Sequence, residues 1–306
     1  MMTASPLTDI RGVIRHNEPM AKHTSWRVGG VAKLFFQPAD IDDLAQFLRQ
    51  LPTAEFVYWL GLGSNLLVRD GGIEGTVICT TDALTGMQQN DGTLRVEAGV
   101  PCAKIARYGV KNHLVGGEFF IGIPGTMGGA LAMNAGAFGG ETWRLVAAVE
   151  TLDRDGQRHL RLPEEYQISY RHVESPVADE SFVAAHLKLD SGDSTKSAAQ
   201  IKELLDRRNQ TQPTGQHSCG SVFKNPPGDF AARLIESCGL KGYRMGGACV
   251  SEKHANFIIN TGSANATDIE KLIVYVQETV KRQTGVTLIP EVRIVGKQQG
   301  GAIIHG

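Results

Sequence analysis

FVYWLGLGSNL, residues 56–66, joins a run of apolar residues to a loop rich in glycine. The run Phe56–Leu60 contains aromatic and β-branched residues, which predicts a buried strand. Gly61 and Gly63 follow it at once, and clustered glycines usually mean backbone that turns tightly or lies close to a ligand. The stretch therefore predicts a strand that delivers a loop to a binding site.

The loop resembles the beginning of the G-x-G-x-x-G pattern that binds dinucleotides, but it departs from that pattern in two ways. Leu66 stands where the third glycine is needed, and Asp70-Gly71-Gly72 leaves no room for the helix that should follow. We therefore expect a loop without a helix behind it, whose backbone N–H groups bind an anion. Ser64 and Asn65 can add side-chain donors.

A second glycine-rich segment, GIPGTMGGA, covers residues 122–130. Pro124 stiffens it, and its small residues allow a flat ring or a diphosphate to lie against the backbone. It has no Lys-Ser/Thr pair at the spacing of a mononucleotide loop. Either loop alone is compatible with ordinary tight turns. Together with Val28-Gly29-Gly30 they favour a ligand that carries phosphate.

Length and composition indicate a multidomain globular protein that binds a small molecule. The chain has 306 residues, which favours two or three domains, and its net charge of −1 argues against nucleic acid and anionic membranes as partners. The five cysteines have no zinc-site spacing, so we expect no metal and a reducing compartment. Neither a signal peptide nor a run of about 18 apolar residues is visible, which predicts a cytoplasmic protein.

Turn signals and periodicity divide the chain into three predicted domains, 17–82, 83–191 and 195–296, with the polar stretch Asp190–Ser194 as the clearest boundary. The predicted helices are Ile41–Leu51, Ala103–Asn112, Thr195–Thr211, Phe230–Cys238 and Ala266–Thr284. Val146–Leu152 and Gln157–Leu162 are expected to form a hairpin across Asp155-Gly156.

Seven motifs, in order along roughly residues 17 to 296, resemble the UDP-N-acetylenolpyruvoylglucosamine reductase family. Any one of them is weak, but the ordered set is specific. They are SWRVGG (25–30), GLGSNLLV (61–68), GIPGTMGGA with NAGA (122–130 and 134–137), SYR (169–171), CGSVFKNP (219–226), GGA (246–248) and PEVR (290–293). Only Lys-Gly-Tyr-Arg-Met separates Leu240 from Gly246, without an extra substrate-covering module after it, which resembles the shorter of the family's two types. The substrate-clamping tyrosine of the longer type cannot be assigned to a position in this sequence.

The resemblance implies an α+β protein with the two-part FAD-binding fold of the vanillyl-alcohol oxidase and PCMH type, followed by a C-terminal α+β substrate domain. It implies noncovalent FAD, NADPH as co-substrate and a UDP-sugar substrate, without an obligatory protein partner. The reaction would reduce UDP-N-acetylenolpyruvoylglucosamine to UDP-N-acetylmuramate in peptidoglycan synthesis. The expected cofactor contacts are Val28, Gly29, Gly61, Leu62, Gly63, Ser64, Asn65, Leu66, Gly122, Ile123, Pro124, Gly125, Thr126, Gly128, Gly129, Asn134, Ala135 and Gly136.

Three catalytic residues are expected from the same resemblance. Arg171 would supply a cation for the charge that develops on the substrate, because a guanidinium binds carboxylates in bidentate fashion. Ser221 would donate a proton to carbon, and Glu291 would polarise the substrate carboxylate. The alternatives are a surface salt bridge for Arg171, a simple turn for Ser221 and an ion pair with Arg293 for Glu291.

Tyr170, Lys224, Asn225, His254 and Asn256 are the expected substrate contacts. Two other functions stay open from the residues alone. One is a different FAD-dependent oxidase or dehydrogenase of the same fold that acts on an alcohol or sugar acid. The other is a flavin- or nucleotide-binding protein without catalysis.

Overall fold

The computed structural model describes residues 7–90 and 92–299. The strands within these residues are β1 Val13–Pro19, β2 Val31–Gln37, β3 Val57–Leu60, β4 Leu66–Val68, β5 Ile73–Cys79, β6 Met87–Asn90, β7 Thr93–Glu97, β8 Leu114–Val115, β9 Gly136–Ala137, β10 Gly140–Glu141, β11 Val146–Leu152, β12 Arg158–Arg161, β13 Gln167–Ser169, β14 His172–Glu174, β15 Ser181–Lys188, β16 Asp190–Ser191, β17 Arg244–Met245, β18 Ala248–Val250, β19 Ile258–Asn260 and β20 Arg293–Val295. The mixture of strands and helices confirms the predicted α+β class.

The α-helices of the described residues are α1 Ile41–Gln50, α2 Cys102–Lys111, α3 Met127–Ala132, α4 Ser194–Thr211, α5 Ala231–Ser237 and α6 Ala266–Thr284. Asp40 caps α1, since its carboxylate accepts from Asp43 N at 2.8 Å. Gly285 ends α6 in the left-handed conformation with φ 76°. None of these helices is long and apolar enough to span a bilayer.

The chain packs into two compact units, each built from separated segments. The first takes the chain up to His16, Leu34–Gly61 and Gly75–Lys202, and the second takes Asn17–Lys33, Leu62–Glu74 and the chain from Glu203 onward. The chain passes from one unit to the other within β1, β2, β5 and α4. The predicted boundary at Asp190–Ser194 precedes the crossing in α4 by several residues, and the three predicted domains stay a prediction.

The first unit contains a five-stranded sheet of order β12-β11-β15-β7-β6. The predicted hairpin is present, since β11 and β12 pair antiparallel with Leu152 opposite Arg158. One core of this unit packs α1 against the strands, and the rings of Phe36 and Phe47 stack at 3.8 Å between centroids. β3 and β5 run parallel in a further sheet of order β1-β2-β5-β3, so β3 carries its glycine loop at its carboxyl end.

The second unit is built around α6. Its apolar face packs on the sheet β17-β18-β19 and on the buried Trp26 and Phe223. The N-terminus of α6 is held from a distant segment, because the Asp70 carboxylate accepts from Ala266 N at 3.0 Å and Thr267 N at 2.9 Å. A carboxylate at this end satisfies free amides and the positive end of the helix dipole. Asp70 therefore fixes the segment after β4 to α6.

Candidate functional site

Gly61 directly follows β3 and lies against the second glycine loop within the first unit. A Cβ atom added there would stand 2.4 Å from Thr126 Oγ1. Gly61 does not have a positive φ, so the requirement for glycine here is one of space. The two loops that the sequence singled out are therefore in contact at this point.

Thr126 presents a buried hydroxyl in the second loop. The residue is 1% exposed, and its Oγ1 has no hydrogen-bond partner among the described residues. Thr126 precedes α3, but its side chain does not cap that helix. An unsatisfied buried hydroxyl costs about 1–3 kcal/mol, so a bound ligand is the natural acceptor or donor for it.

Gly129 lies one turn further along and leaves its backbone open. An added Cβ would meet nothing nearer than Thr126 Oγ1 at 3.9 Å, and the residue is exposed. By contrast, the amides of Met127 and Gly128 donate to Val100 O and Ala98 O, which holds the loop on the end of β7. An open glycine beside an unsatisfied hydroxyl fits the polar part of a flavin nucleotide lying close to the backbone.

The rest of the first loop belongs to the second unit, where it packs on the segment 23–30. Ser25 N donates to Gly63 O at 3.1 Å. Gly63 has φ 60°, and a Cβ there would lie 1.9 Å from His23 O, so only glycine fits. Gly29 has φ 126° and lies against Val68. The structure thus brings the Val28-Gly29 motif together with the loop.

Asn65 connects this loop to Glu291. Its Nδ2 donates to Glu291 O at 3.0 Å, and its own carbonyl accepts from Arg293 N at 3.0 Å. The connection continues as a parallel pair between β4 and β20, with Leu66 opposite Arg293. Asn65 was expected to contact the cofactor, and these bonds give it the further role of positioning the Glu291 backbone.

Ser221 belongs to the segment 221–224, here called the bridge, whose backbone is hydrogen-bonded to the segments that carry Asn256 and Glu291. Val222 N donates to Asn256 O at 2.9 Å, and Val222 O accepts from Glu291 N at 2.7 Å. The Asn256 amide makes both of its bonds to the backbone of Phe223, accepting from N at 3.0 Å and donating to O at 2.8 Å. Ser221 and Glu291, two expected catalytic residues, are therefore held beside each other in the second unit.

Among the expected substrate residues of this unit, Lys224 is positioned by its backbone, whereas Asn225 and Asn256 use their side-chain amides to bond to the chain. Lys224 N donates to Ile289 O at 2.9 Å, which places Lys224 on the same bridge. Asn225 Oδ1 accepts from Ala231 N at the start of α5, and the Asn256 amide is buried against Phe223, so both amides serve the chain itself. Their substrate contacts stay predictions.

His254 has a buried Nδ1 without a hydrogen-bond partner in the described part of the chain. Burial lowers the pKa of this imidazole, and the charge of Lys241 acts in the same direction. The ring packs edge-on against Phe257. A neutral imidazole with a free nitrogen is suited to hydrogen-bond a neutral polar group.

Arg171 lies in the first unit, in the two-residue turn between β13 and β14, and has φ 54°. Its Nη2 donates to Gly136 O at 3.1 Å, within the segment that is expected to contact the cofactor. Its guanidinium also lies 5.7 Å from the ring centroid of Tyr170, which is 53% exposed. The structure thus brings Arg171 to the NAGA motif.

Sequence reasoning missed Phe138, which has φ 53° and covers the second loop, since a Cβ at Gly122 would lie 2.4 Å from Phe138 Cε2. Asn134, with φ 42°, is a second left-handed residue in this segment. Such strained residues concentrate at functional sites. Phenylalanine does not favour this conformation, so for Phe138 the sequence offered only the neighbouring glycines as a signal.

Comparisons with known proteins give a consistent result. A family described as "FAD binding domain" matches residues 32–160, and one described as "UDP-N-acetylenolpyruvoylglucosamine reductase, C-terminal domain" matches residues 212–295. UDP-N-acetylenolpyruvoylglucosamine reductase from Methylococcus capsulatus is 58% identical over 298 residues, covering 97% of each chain. The protein of that name from Legionella pneumophila strain Corby is 56% identical and covers 96% of each chain.

Solved structures agree. The reductase of the same name from Thermus caldophilus superimposes with a TM-score of 0.79 at 33% identity, covering 93% of this chain and 98% of its own. 6-Hydroxy-D-nicotine oxidase from Arthrobacter nicotinovorans gives a TM-score of 0.57 at 11% identity over 94% and 90% of the two chains, which supports the fold alone. These likenesses confirm the predicted FAD-binding fold.

Proposed function

The chain belongs to the UDP-N-acetylenolpyruvoylglucosamine reductase family, and we propose from this premise how its own side chains carry out the reaction. It is an FAD-dependent oxidoreductase that reduces UDP-N-acetylenolpyruvoylglucosamine to UDP-N-acetylmuramate with NADPH as reductant. The product is a precursor of peptidoglycan. The rival prediction, an oxidase acting on an alcohol or sugar acid, is not favoured.

Hydride transfer from NADPH to the methylene carbon of the enolpyruvyl ether is the chemistry that FAD supplies when bound. The Thr126 hydroxyl and the open backbone at Gly129 are the groups that would hold it on one side. The protein must then stabilise the negative charge that develops on the carbon next to the substrate carboxylate, and it must protonate that carbon.

Arg171 is the proposed cation for the developing charge. A guanidinium remains protonated and can bind a carboxylate with two parallel hydrogen bonds. Its bond to Gly136 O uses Nη2 and ties the side chain to the NAGA segment. A fixed guanidinium stabilises charge without reorganising during the reaction, which is the condition for strong electrostatic catalysis.

Ser221 Oγ is the proposed donor of the proton to carbon. An alcohol is a weak acid, so this step requires a strongly basic carbon and a stabilised alkoxide. Lys224, on the same bridge, is the proposed source of that stabilisation. Glu291, held by its backbone to Val222, is proposed to hydrogen-bond the substrate carboxylate and so polarise it.

One observation carries this proposal: Glu291 N donates to Val222 O at 2.7 Å, next to Ser221. A proton donor and a group that polarises the carboxylate must act on neighbouring atoms of one small substrate. Glu291 and Val222 are 69 positions apart in the sequence, and their direct backbone bond brings Glu291 close to Ser221, the residue before Val222.

Ser221→Ala tests the proposal. NADPH should bleach the bound flavin of the variant at the wild-type rate, while turnover of the sugar nucleotide should fall by about 10²–10⁴-fold, the usual contribution of a positioned acid. Ser237→Ala, which removes a hydroxyl that donates to Leu234 O in α5 at 2.9 Å, is the matched control and should retain full turnover. Near-normal turnover by Ser221→Ala would refute the role of the hydroxyl.

We further propose that the protein acts in the cytoplasm without an obligatory protein partner. NADPH and UDP-sugars are reactants of that compartment. The five cysteines of the chain are free thiols, which is compatible with a reducing environment. The absence of an obligatory partner is tested by measuring the molecular mass and the activity of the purified protein in the same sample. Activity that appears only after another protein is added would contradict the proposal.

A further inference from the structure

Asn134 lies at the meeting point of three segments of the first unit, and its side chain is 3% exposed. Its Oδ1 accepts from Trp143 N at 3.2 Å. Its Nδ2 donates to Glu141 Oε2 at 3.2 Å and to Ser169 O at 3.2 Å. The amide is thus engaged with the chain through both its oxygen and its nitrogen.

The bond to Ser169 O has a consequence for Arg171. Ser169 is the last residue of β13, and it pairs with His172 across the turn that consists of Tyr170 and Arg171. That two-stranded ribbon is short, and its turn residues are half-buried or exposed. An isolated ribbon of this kind is marginally stable, so its position depends on contacts from outside.

The guanidinium of Arg171 reaches the same segment by a second contact, its 3.1 Å bond to Gly136 O, two residues after Asn134. The base of the turn and its tip are therefore both tied to residues 134–136. Trp143, whose backbone holds the Asn134 oxygen, is itself anchored, since its indole Nε1 donates to Leu131 O in α3 at 2.8 Å. The support of the turn thus extends to α3, the helix that begins within the second glycine-rich segment.

The backbone of Asn134 adds an independent observation. Its φ of 42° is a left-handed conformation that costs most residues about 1 kcal/mol. Asparagine, like aspartate and histidine, tolerates this region better than most other residues. A residue held in a left-handed conformation, with both the oxygen and the nitrogen of its side-chain amide hydrogen-bonded to the chain, is suited to fix geometry.

We propose that Asn134 is a positioning residue for Arg171: it holds the base of the Tyr170-Arg171 turn so that the guanidinium meets the substrate. This goes beyond the cofactor contact expected from the sequence, and it rests on the role proposed for Arg171. A displacement of about 1 Å at a reacting group can cost on the order of 10²-fold in rate. Asn134 therefore matters for turnover of the sugar nucleotide rather than for retention of FAD.

Asn134→Gly is the informative variant, because glycine accepts φ of 42° without strain while the amide is lost. Asn112→Ala is the matched control, since it removes a different side-chain amide of this unit, one that is half-buried and donates to Tyr108 O at 2.9 Å. With this control, five proteins complete the experiment: wild type, Asn134→Gly, Arg171→Ala, the double variant and Asn112→Ala. Each is assayed for bound FAD, for bleaching by NADPH, and for single-turnover reoxidation of the flavin by the sugar nucleotide.

The expected result is that Asn134→Gly retains FAD, is bleached by NADPH as the wild type is, and is reoxidised at least about tenfold more slowly by the sugar nucleotide. On the Arg171→Ala background the same change should cost less than about twofold, because residues that act as a unit are not additive. The Asn112→Ala control should resemble the wild type throughout.

Three outcomes would overturn part of this account, and they differ from one another. A full tenfold loss on the Arg171→Ala background would show that Asn134 does not act through Arg171. Loss of FAD from Asn134→Gly would favour the simple cofactor contact. Unchanged reoxidation of Arg171→Ala would instead contradict the role proposed for Arg171, before any test of Asn134.

Discussion

Replacing Gly61 by alanine tests the contact between the two glycine loops. The new Cβ would lie 2.4 Å from Thr126 Oγ1, which is 1.0 Å short of the 3.4 Å at which ordinary contact begins. Thr126 Cβ and Cγ2 lie at 3.5 Å, so the hydroxyl alone is in conflict. Thr126 is buried, which leaves it little freedom to turn away.

The cost follows from these distances. Overpacking a filled interior costs about 1–3 kcal/mol. Replacing glycine by alanine also stabilises the folded state by about 0.4–1 kcal/mol, because alanine lowers the conformational entropy of the unfolded chain. This gain applies at Gly61 because its φ is not positive. Gly61→Ala should therefore lower the free energy of unfolding of the FAD-free protein by about 1–2 kcal/mol.

Two substitutions at Thr126 make the test specific. Thr126→Ala removes the hydroxyl, so adding Gly61→Ala to it should be neutral or stabilise by a few tenths of a kcal/mol. Thr126→Val keeps an atom of similar size in that place, so Gly61→Ala should still cost about 1–2 kcal/mol on this background. Both Thr126 variants should weaken FAD binding by about 2–10-fold, the value of one hydrogen bond.

Urea unfolding of the six FAD-free proteins gives the free energies, and a fluorescence titration with FAD gives the affinities. The reasoning is refuted if Gly61→Ala costs the same on the Thr126→Ala background as on the wild type. In that case the two loops would not be in the contact described.

Glu291→Gln should slow sugar-nucleotide turnover by on the order of 10²-fold while NADPH still bleaches the flavin, with the exposed Glu278→Gln as control; equal turnover would contradict its role. The two hydrogen bonds from Arg95, joined by one from His186, hold the pKa of Glu150 below its usual range against the effect of burial. Because its pKa is lower in the folded than in the unfolded protein, ionised Glu150 stabilises the fold at any pH above the unfolded pKa of about 4.3. This contribution to the free energy of unfolding is lost as the pH falls from that value through the folded pKa. Unfolding measured from pH 6 to pH 3 should therefore show a shallower loss for Glu150→Gln than for wild type or the exposed Glu164→Gln. Asp70→Ala should cost about 1–2 kcal/mol because two amides of α6 lose their acceptor, and a cost no larger than that of a surface substitution would argue against this cap.

Patterns among neighbouring residues were sufficient to predict several of the helices and one of the hairpins. The limits of α6 were predicted at both ends, because its apolar spacing and the following Gly285 are properties of adjacent residues. The start of α1 at Ile41 was also predicted, and the structure caps it with the preceding Asp40. The hairpin β11–β12 was predicted from two strand candidates on either side of the Asp155-Gly156 turn.

Contacts between distant segments were not predictable in this way. The bond from Asn65 to Glu291 spans 226 positions, and nothing local to either residue indicates it. The Asn256 amide was expected to contact substrate, but its bonds to Phe223 depend on how two loops meet. The left-handed conformations of Asn134 and Arg171 are likewise imposed by packing. For the site residues, the sequence supplied the chemistry through a family resemblance, and the fold supplied their neighbours.

The absorption spectrum of the purified protein under anaerobic conditions tests the central claim most directly. A yellow protein should be bleached by NADPH, and its colour should return on addition of UDP-N-acetylenolpyruvoylglucosamine in an amount equal to the reduced flavin. A colourless protein, or a bleached flavin that only oxygen restores, would contradict an FAD-dependent reductase of this sugar nucleotide.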